Sequence, residues 1–80
     1  MKLPRDLSGD DLARVLGHLG YEITRQTGSH LRLTTADPAE HHITIPRHDA
    51  LRIGTLSSIL RDVAGHRGMD KDELIELLFQ

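Results

Sequence analysis

The sequence contains no cysteine among its 80 residues. Disulfides, thiolate metal sites, iron–sulfur clusters and cysteine nucleophiles are therefore excluded, and the reducing cytoplasm is the compartment that fits best. Long apolar runs are also missing: runs such as Leu77–Phe79 fall far short of the roughly 18 residues that a membrane span needs. The segment from Met1 to Asp6 lacks the apolar core of a signal peptide, so we expect a soluble, unprocessed chain.

An excess of positive charge is the third feature that is lacking. Ten Lys and Arg residues against twelve Asp and Glu residues give a net charge of −2, whereas a nonspecific nucleic-acid binder is usually strongly basic. The acidic groups are concentrated at one end, because residues 68–80 carry four of them and one Lys. Residues 1–67 carry nine basic groups, of which eight are Arg, the side chain best suited to bidentate phosphate contacts. Anionic partners therefore stay possible.

The chain length favours a single domain over residues 1–80. Its first predicted element is a helix over Gly9–Leu19, where apolar residues recur at the spacing of one helical face. Ser8 and Asp11 have the spacing of a capping box, and Gly20 provides a stop. Helical spacing returns in Thr55–Ala64 and in Asp70–Phe79, where Asp70 and Glu73 form a second capping pair.

Between these helices the apolar period changes to two, which predicts three short strands. The inward pairs are Tyr21 with Ile23, Leu31 with Leu33, and Ile43 with Ile45. Gly28-Ser29 and the segment 36–40 are the turns, so an antiparallel meander is expected. By strict alternation the opposite face carries a polar set: Thr24, Gln26, His30, Arg32, Thr34, His42 and Thr44. The order α-β-β-β-α-α predicts an α+β fold, with a three-stranded antiparallel sheet and helices packed on one face.

Several ordered motifs in this framework resemble one protein family. They are Arg25-Gln26-Thr27-Gly28-Ser29-His30 on the first hairpin, Ile43-Thr44-Ile45-Pro46-Arg47-His48 at the end of the third strand, and Gly54-Thr55-Leu56-Ser57-Ser58-Ile59-Leu60 in the second helix. Together they resemble the HicA family of toxins from bacterial and archaeal toxin–antitoxin pairs, also called YcfA-like proteins.

The resemblance implies a double-stranded-RNA-binding-domain-like fold and ribosome-independent mRNA cleavage by one essential histidine. By position, that histidine is His30. It also implies neutralisation by a cognate HicB antitoxin. A polar sheet face with exposed edge strands leaves room for such a partner to cover the His30 side.

The residues also support ribonuclease chemistry by themselves. RNA carries its own nucleophile, the 2′-hydroxyl, so cleavage needs a base, an acid for the leaving 5′-oxygen, and positive charge near the phosphorus. No metal or other cofactor is required, and we expect none. A histidine suits the base role at neutral pH. The predicted site is catalytic His30 with RNA contacts from Gly28, Ser29, Arg25, Arg32, Arg47 and His48, where His48 is the candidate acid if its loop folds back.

Other interpretations of these residues stay open. A lone histidine on an exposed strand is more often a solvated surface group, and the same sheet or the first helix would also suit a noncatalytic RNA-binding module. Direct DNA binding by the last two helices is disfavoured, because their acidic groups would meet the phosphate backbone. His41 and His42 are adjacent on a strand and point to opposite faces, which disfavours a joint metal site; His42 with His48 and Asp49 offers only adventitious zinc binding.

Overall fold

The computed structural model describes residues 3–79. Met1, Lys2 and Gln80 lie outside the described residues, and with them the start of the segment considered above for a signal peptide. The elements are helix α1 (Gly9–Leu16) with a following 3-10 turn (Gly17–Leu19), strands β1 (Glu22–Gln26), β2 (His30–Thr35) and β3 (His41–Pro46), and helices α2 (Ile53–His66) and α3 (Lys71–Phe79). This order confirms the predicted α+β arrangement and agrees with a double-stranded-RNA-binding-domain-like fold.

Helix α1 begins at the predicted capping box. Ser8 Oγ accepts the Asp11 N–H at 2.9 Å, and Asp11 Oδ2 accepts the Ser8 N–H at 3.3 Å. Hydrogen bonding of the Asp11 carboxylate to the side chain and then to the backbone N–H of Ser8 holds the pKa of Asp11 below its ordinary value. The predicted helix over Gly9–Leu19 is correct in extent, but its last three residues tighten into the 3-10 turn before Gly20, which takes a left-handed φ of 87°.

The three strands form an antiparallel sheet in the order β1-β2-β3. Strand β2 pairs with β3 without interruption, from His30 opposite Pro46 to Thr35 opposite His41. Strand β1 pairs with β2 less regularly, because the register shifts between Ile23 and Arg25 and leaves an extra residue on β1. Such a bulge moves the residues that follow it to the opposite face of the sheet.

The bulge corrects one prediction from strict alternation. Gln26 was expected on the polar face, but it lies opposite the buried Leu31 and therefore on the helix side of the sheet. Arg25 takes the polar-face position instead, opposite Arg32. The sequence pattern missed this because a bulge depends on how two strands pair, not on the composition of one strand. Ile23 keeps its predicted side, but it is half exposed at the sheet edge.

The helices cover the other face of the sheet, as predicted. Helix α1 packs on β2 and β3, α2 packs on β3, and α3 packs on α2. The side chains that are fully buried between the layers are apolar: Leu12, Leu16, Leu31, Leu33, Ile45, Leu56, Leu60, Val63 and Leu74. Burial of each such side chain contributes roughly 1.5–3 kcal/mol to folding. The core thus fixes the sheet with one face against the helices and the other open.

Helices α2 and α3 fall close to their predicted positions. Helix α2 is two residues longer at each end than the predicted Thr55–Ala64, and α3 starts one residue after Asp70. The Asp70 N–H donates to Glu73 Oε1 at 3.0 Å, which confirms the predicted capping pair. Among the described residues, no helix is long and apolar enough to cross a membrane.

Candidate active site

His30 is the first residue of β2 and directly follows the turn that connects β1 to β2. Its imidazole is exposed, and its Nδ1 lies 3.0 Å from Ser29 Oγ. The backbone around it is held by Thr27, whose N–H donates to the His30 carbonyl at 2.9 Å and whose Oγ1 accepts the His30 N–H at 3.0 Å. The turn therefore fixes the backbone of His30 and gives its Nδ1 a hydroxyl partner.

Thr27 is a site residue that the sequence analysis missed. A Thr hydroxyl that binds backbone N–H groups two or three residues onward is a recognised turn signal, and here Thr27 Oγ1 also accepts the Ser29 N–H at 3.3 Å. Gly28 has a different status, because a methyl group at its Cα would meet no atom within 4 Å. The fold itself therefore does not require glycine at this position.

Arg25 and Arg32 form a like-charged pair in the row next to His30. They lie directly opposite each other across β1 and β2, and Thr44 lies opposite Arg32 on β3. Within residues 3–79, neither guanidinium makes an ion pair with an acidic side chain. This row therefore presents uncompensated positive charge on the open face. Like charges directly opposite in a sheet are also destabilising.

Arg47 lies on the helix side of the turn and is engaged within the protein. Its Nε and Nη2 donate to the two carboxylate oxygens of Asp10, each at 3.2 Å, and its Nη1 donates to the Thr27 carbonyl at 3.3 Å. Its backbone N–H donates to the Ser29 carbonyl at 2.8 Å. Arg47 thus joins the first turn of α1 to the turn that carries His30, unlike the arginines of the open face.

His48 lies in the loop that leaves β3. Pro46 is opposite His30 in the sheet, so the chain continues to the exposed His48 from the same end of the sheet. The His48 carbonyl accepts the Gly9 N–H at 3.0 Å, which attaches this loop to the start of α1. The backbone of the candidate acid is therefore anchored, while its imidazole is exposed.

A second group of titratable side chains lies on the opposite face of the sheet. His41 is held between Tyr21 Oη, at 2.7 Å from its Nδ1, and Asp62 Oδ1, at 3.2 Å from its Nε2, and its ring stacks on His66. Burial, followed by the Asp62 charge, raises the pKa of Tyr21 to about 12. This group ties β3 to α2, and it confirms that His41 and His42 point to opposite faces.

Metal binding was considered for the histidines from their sequence positions. In the part of the chain from Leu3 to Phe79, no group of three or more His, Asp or Glu side chains is arranged to hold a metal ion. His42 is hydrogen bonded to Glu40, with Nε2 and Oε2 2.8 Å apart.

Comparison with known proteins gives one match. A family model described as the HicA toxin of bacterial toxin–antitoxin systems matches residues 9–64, which extend from the start of α1 to within α2. No curated protein and no solved structure matches the chain. The matched segment includes the His30 turn, the arginine pair and the end of β3, and it covers more than half of the sequence. The resemblance drawn from the motifs is thereby confirmed, and the chain belongs to the HicA family of toxins from bacterial toxin–antitoxin systems.

Proposed function

We propose that this toxin is an endoribonuclease that cleaves single-stranded mRNA on the open face of its sheet, without the ribosome and without a metal ion. The observation that carries the proposal is the exposed imidazole of His30, with Ser29 on its Nδ1 and the uncompensated Arg25 and Arg32 on the same face. Positive charge beside a general base is the arrangement that favours transesterification of RNA.

In the proposed reaction, His30 acts as the general base. We assign to His30 the tautomer in which Nδ1–H donates to Ser29 Oγ, 3.0 Å away, and Nε2 is unprotonated. Nε2 takes the proton of the ribose 2′-hydroxyl as the 2′-oxygen forms a bond to phosphorus. The bond from phosphorus to the 5′-oxygen then breaks, and that oxygen takes up a proton, for which His48 is the candidate donor. The products are a 2′,3′-cyclic phosphate and a 5′-hydroxyl.

Of the four remaining predicted residues, two act on the phosphate and two act at the turn. Arg25 and Arg32 hold the charge that develops on the phosphoryl oxygens. Gly28 leaves open space at the turn, so the RNA backbone can approach closely there. Arg47 is a positioning residue in this proposal, because its guanidinium is already bound to Asp10 and to the Thr27 carbonyl.

The proposed partner is a HicB-type antitoxin that covers the His30 face. The family match names a toxin of a toxin–antitoxin system, and a partner bound to the His30 face would block the proposed site. An acidic surface on the antitoxin would complement the arginine pair. Toxin and antitoxin would meet in the cytoplasm, where the mRNA substrate is found.

The experiment is an incubation of single-stranded RNA with purified toxin in EDTA, with wild type beside His30→Ala. The loss of a general base lowers the rate by about 10²–10⁴-fold, so we expect cleavage by wild type only, with a 2′,3′-cyclic phosphate end. His18→Ala is the matched control, because His18 is an exposed histidine on the 3-10 turn after α1. Undiminished cleavage by a correctly folded His30→Ala variant would remove His30 from the chemistry.

A noncatalytic RNA-binding module is the second candidate, and the arginine pair favours it equally. It predicts that folded, antitoxin-free wild type binds RNA in a salt-dependent way and yields no product. Measuring binding and product in the same samples separates the two functions.

A further inference from the structure

Four side chains form a continuous hydrogen-bonded chain on the open face of the sheet, at the end opposite His30. Glu40 Oε2 lies 2.8 Å from His42 Nε2, His42 Nδ1 lies 2.8 Å from Thr34 Oγ1, and Thr34 Oγ1 lies 2.8 Å from Thr24 Oγ1. The chain crosses all three strands, and the cleavage reaction described above uses none of its members. Thr24 is also the extra residue of the β1 bulge.

The direction of the hydrogen bonds follows from the protons available. An ionised carboxylate only accepts, so we assign the tautomer of His42 that carries its hydrogen on Nε2, beside Glu40. In this tautomer Nδ1 accepts from the Thr34 hydroxyl. Thr34 has then used its only proton, so the proton of Thr24 goes to Thr34 Oγ1, at 2.8 Å, or to the Arg32 carbonyl oxygen, at 3.4 Å. The Thr24 hydroxyl therefore has no proton left, and its oxygen presents acceptor lone pairs to solvent.

An outward acceptor selects its ligand by chemistry. Phosphate oxygens are acceptors as well, so this end of the face cannot bind them, in contrast to the arginine row. A ribose 2′-hydroxyl and a base amino group are the donors that a nucleotide offers. We propose that Thr24 Oγ1 accepts a hydrogen bond from such a nucleotide donor and forms a second RNA subsite. This inference rests on the proposed function, because it assumes that RNA lies on this face.

The position of this hydrogen-bonded chain of side chains fits a subsite beyond the reacting phosphate. On β2, Thr34 is two residues from Arg32 and four from His30 on the same face, which corresponds to about 7 Å and about 14 Å along an extended strand. An RNA segment that follows β2 from His30 would pass the arginine row first and Thr24 afterwards. The subsite would therefore contribute to the binding of extended RNA and not to the chemical step.

The experiment measures RNA affinity at pH 8 in a His30→Ala background that cannot cleave. The probes are a labelled hexanucleotide RNA, copies with a single 2′-deoxy substitution moved along it, and copies with single bases that lack their amino group. We expect Thr24→Val to weaken binding about fivefold, the equivalent of about one neutral hydrogen bond. Thr55→Val is the matched control, because Thr55 lies in α2, on the other side of the sheet.

The modified probes identify the donor and separate a binding role from a structural one. We expect one modified probe to bind about fivefold more weakly than the unmodified RNA when residue 24 is threonine, and equally well when it is valine. If that probe carries a 2′-deoxy substitution, the donor is the ribose hydroxyl. If it carries the altered base, the donor is the base amino group. An unchanged affinity of Thr24→Val for an RNA that wild type cleaves would overturn this inference alone. If the folded protein neither binds nor cleaves RNA, the inference and the proposed function both fail.

Discussion

The arginine pair on the open face leads to an unusual expectation: one substitution should stabilise the protein and weaken its RNA binding. Arg25 and Arg32 are opposite each other on neighbouring strands, and no acidic group pairs with either of them within residues 3–79. Arg25→Gln removes the repulsion and keeps an extended polar side chain. If the pair serves to bind RNA, the substitution should raise the stability of the free protein and lower its affinity for RNA.

The expected sizes are modest but measurable. Two unit charges about 7 Å apart in water repel by about 0.6 kcal/mol, and cross-strand pairs typically change stability by about 0.2–1 kcal/mol. After allowance for solvent screening, we expect Arg25→Gln to raise the free energy of unfolding by about 0.5 kcal/mol at low salt, which corresponds to about 2–4 °C in Tm. Loss of one phosphate contact should weaken RNA binding about tenfold. It should also lower the slope of log K against log salt by about 0.7.

The assay combines thermal unfolding at low and high salt with RNA titrations by fluorescence anisotropy in the His30→Ala background. Arg61→Gln serves as the control, because Arg61 is an exposed arginine of α2, away from the sheet face. A stability gain that disappears in high salt would agree with the electrostatic origin. If Arg25→Gln destabilises the protein and leaves the RNA affinity unchanged, the reasoning is refuted, since Arg25 would then stabilise the fold itself.

Three further predictions concern the framework of the site. A Cβ at Gly9 would collide with the Pro46 carbonyl oxygen and lie 3.2 Å from Arg47 Cα, so Gly9→Ala should cost about 2–4 kcal/mol in urea unfolding. Gly54→Ala, with open space at its Cα, should be neutral or slightly stabilising, and equal effects of the two would contradict the packing argument. Ser8→Ala should cost about 1 kcal/mol through loss of the α1 cap, and no loss would mean that the cap is redundant. The pKa of Tyr21 is raised from 10.0 to about 12, so the free energy of unfolding should fall by about 2–3 kcal/mol as the pH rises from 10 towards 12. Tyr21→Phe should make the free energy of unfolding depend less on pH over that range. An unchanged pH dependence in this variant would contradict the assigned burial.

Local sequence signals predicted most of the fold because their physics is local. The capping box at Ser8 and the capping pair of Asp70 with Glu73 each involve residues three apart, so their spacing alone indicates where a helix begins. The apolar alternation in β2 and β3 predicted the buried pairs, since both strands run without interruption. The same rule was wrong for Gln26, because the bulge in β1 is a property of its pairing with β2 and leaves no mark in the alternation of β1.

The candidate site divides in the same way. The Gly-Ser-His motif identified His30 from the sequence, and its neighbour Ser29 provides the contact to Nδ1. Arg25 was placed among the candidates without a stated face, and only the bulge brings it opposite Arg32. The pairing of Arg47 with Asp10 joins residues 37 positions apart, a separation at which no spacing rule operates.

By itself, the sequence determined the order of the elements, the apolar face of the sheet and the histidine at its turn, because periodicity, caps and turn motifs act over a few residues. Only the tertiary structure decided which charges meet. The strand register, shifted by the bulge, placed Arg25 against Arg32, and packing of α1 against the end of β3 engaged Arg47. These outcomes depend on contacts between distant segments, which form only when burial of the apolar core fixes one register and one packing of the helices.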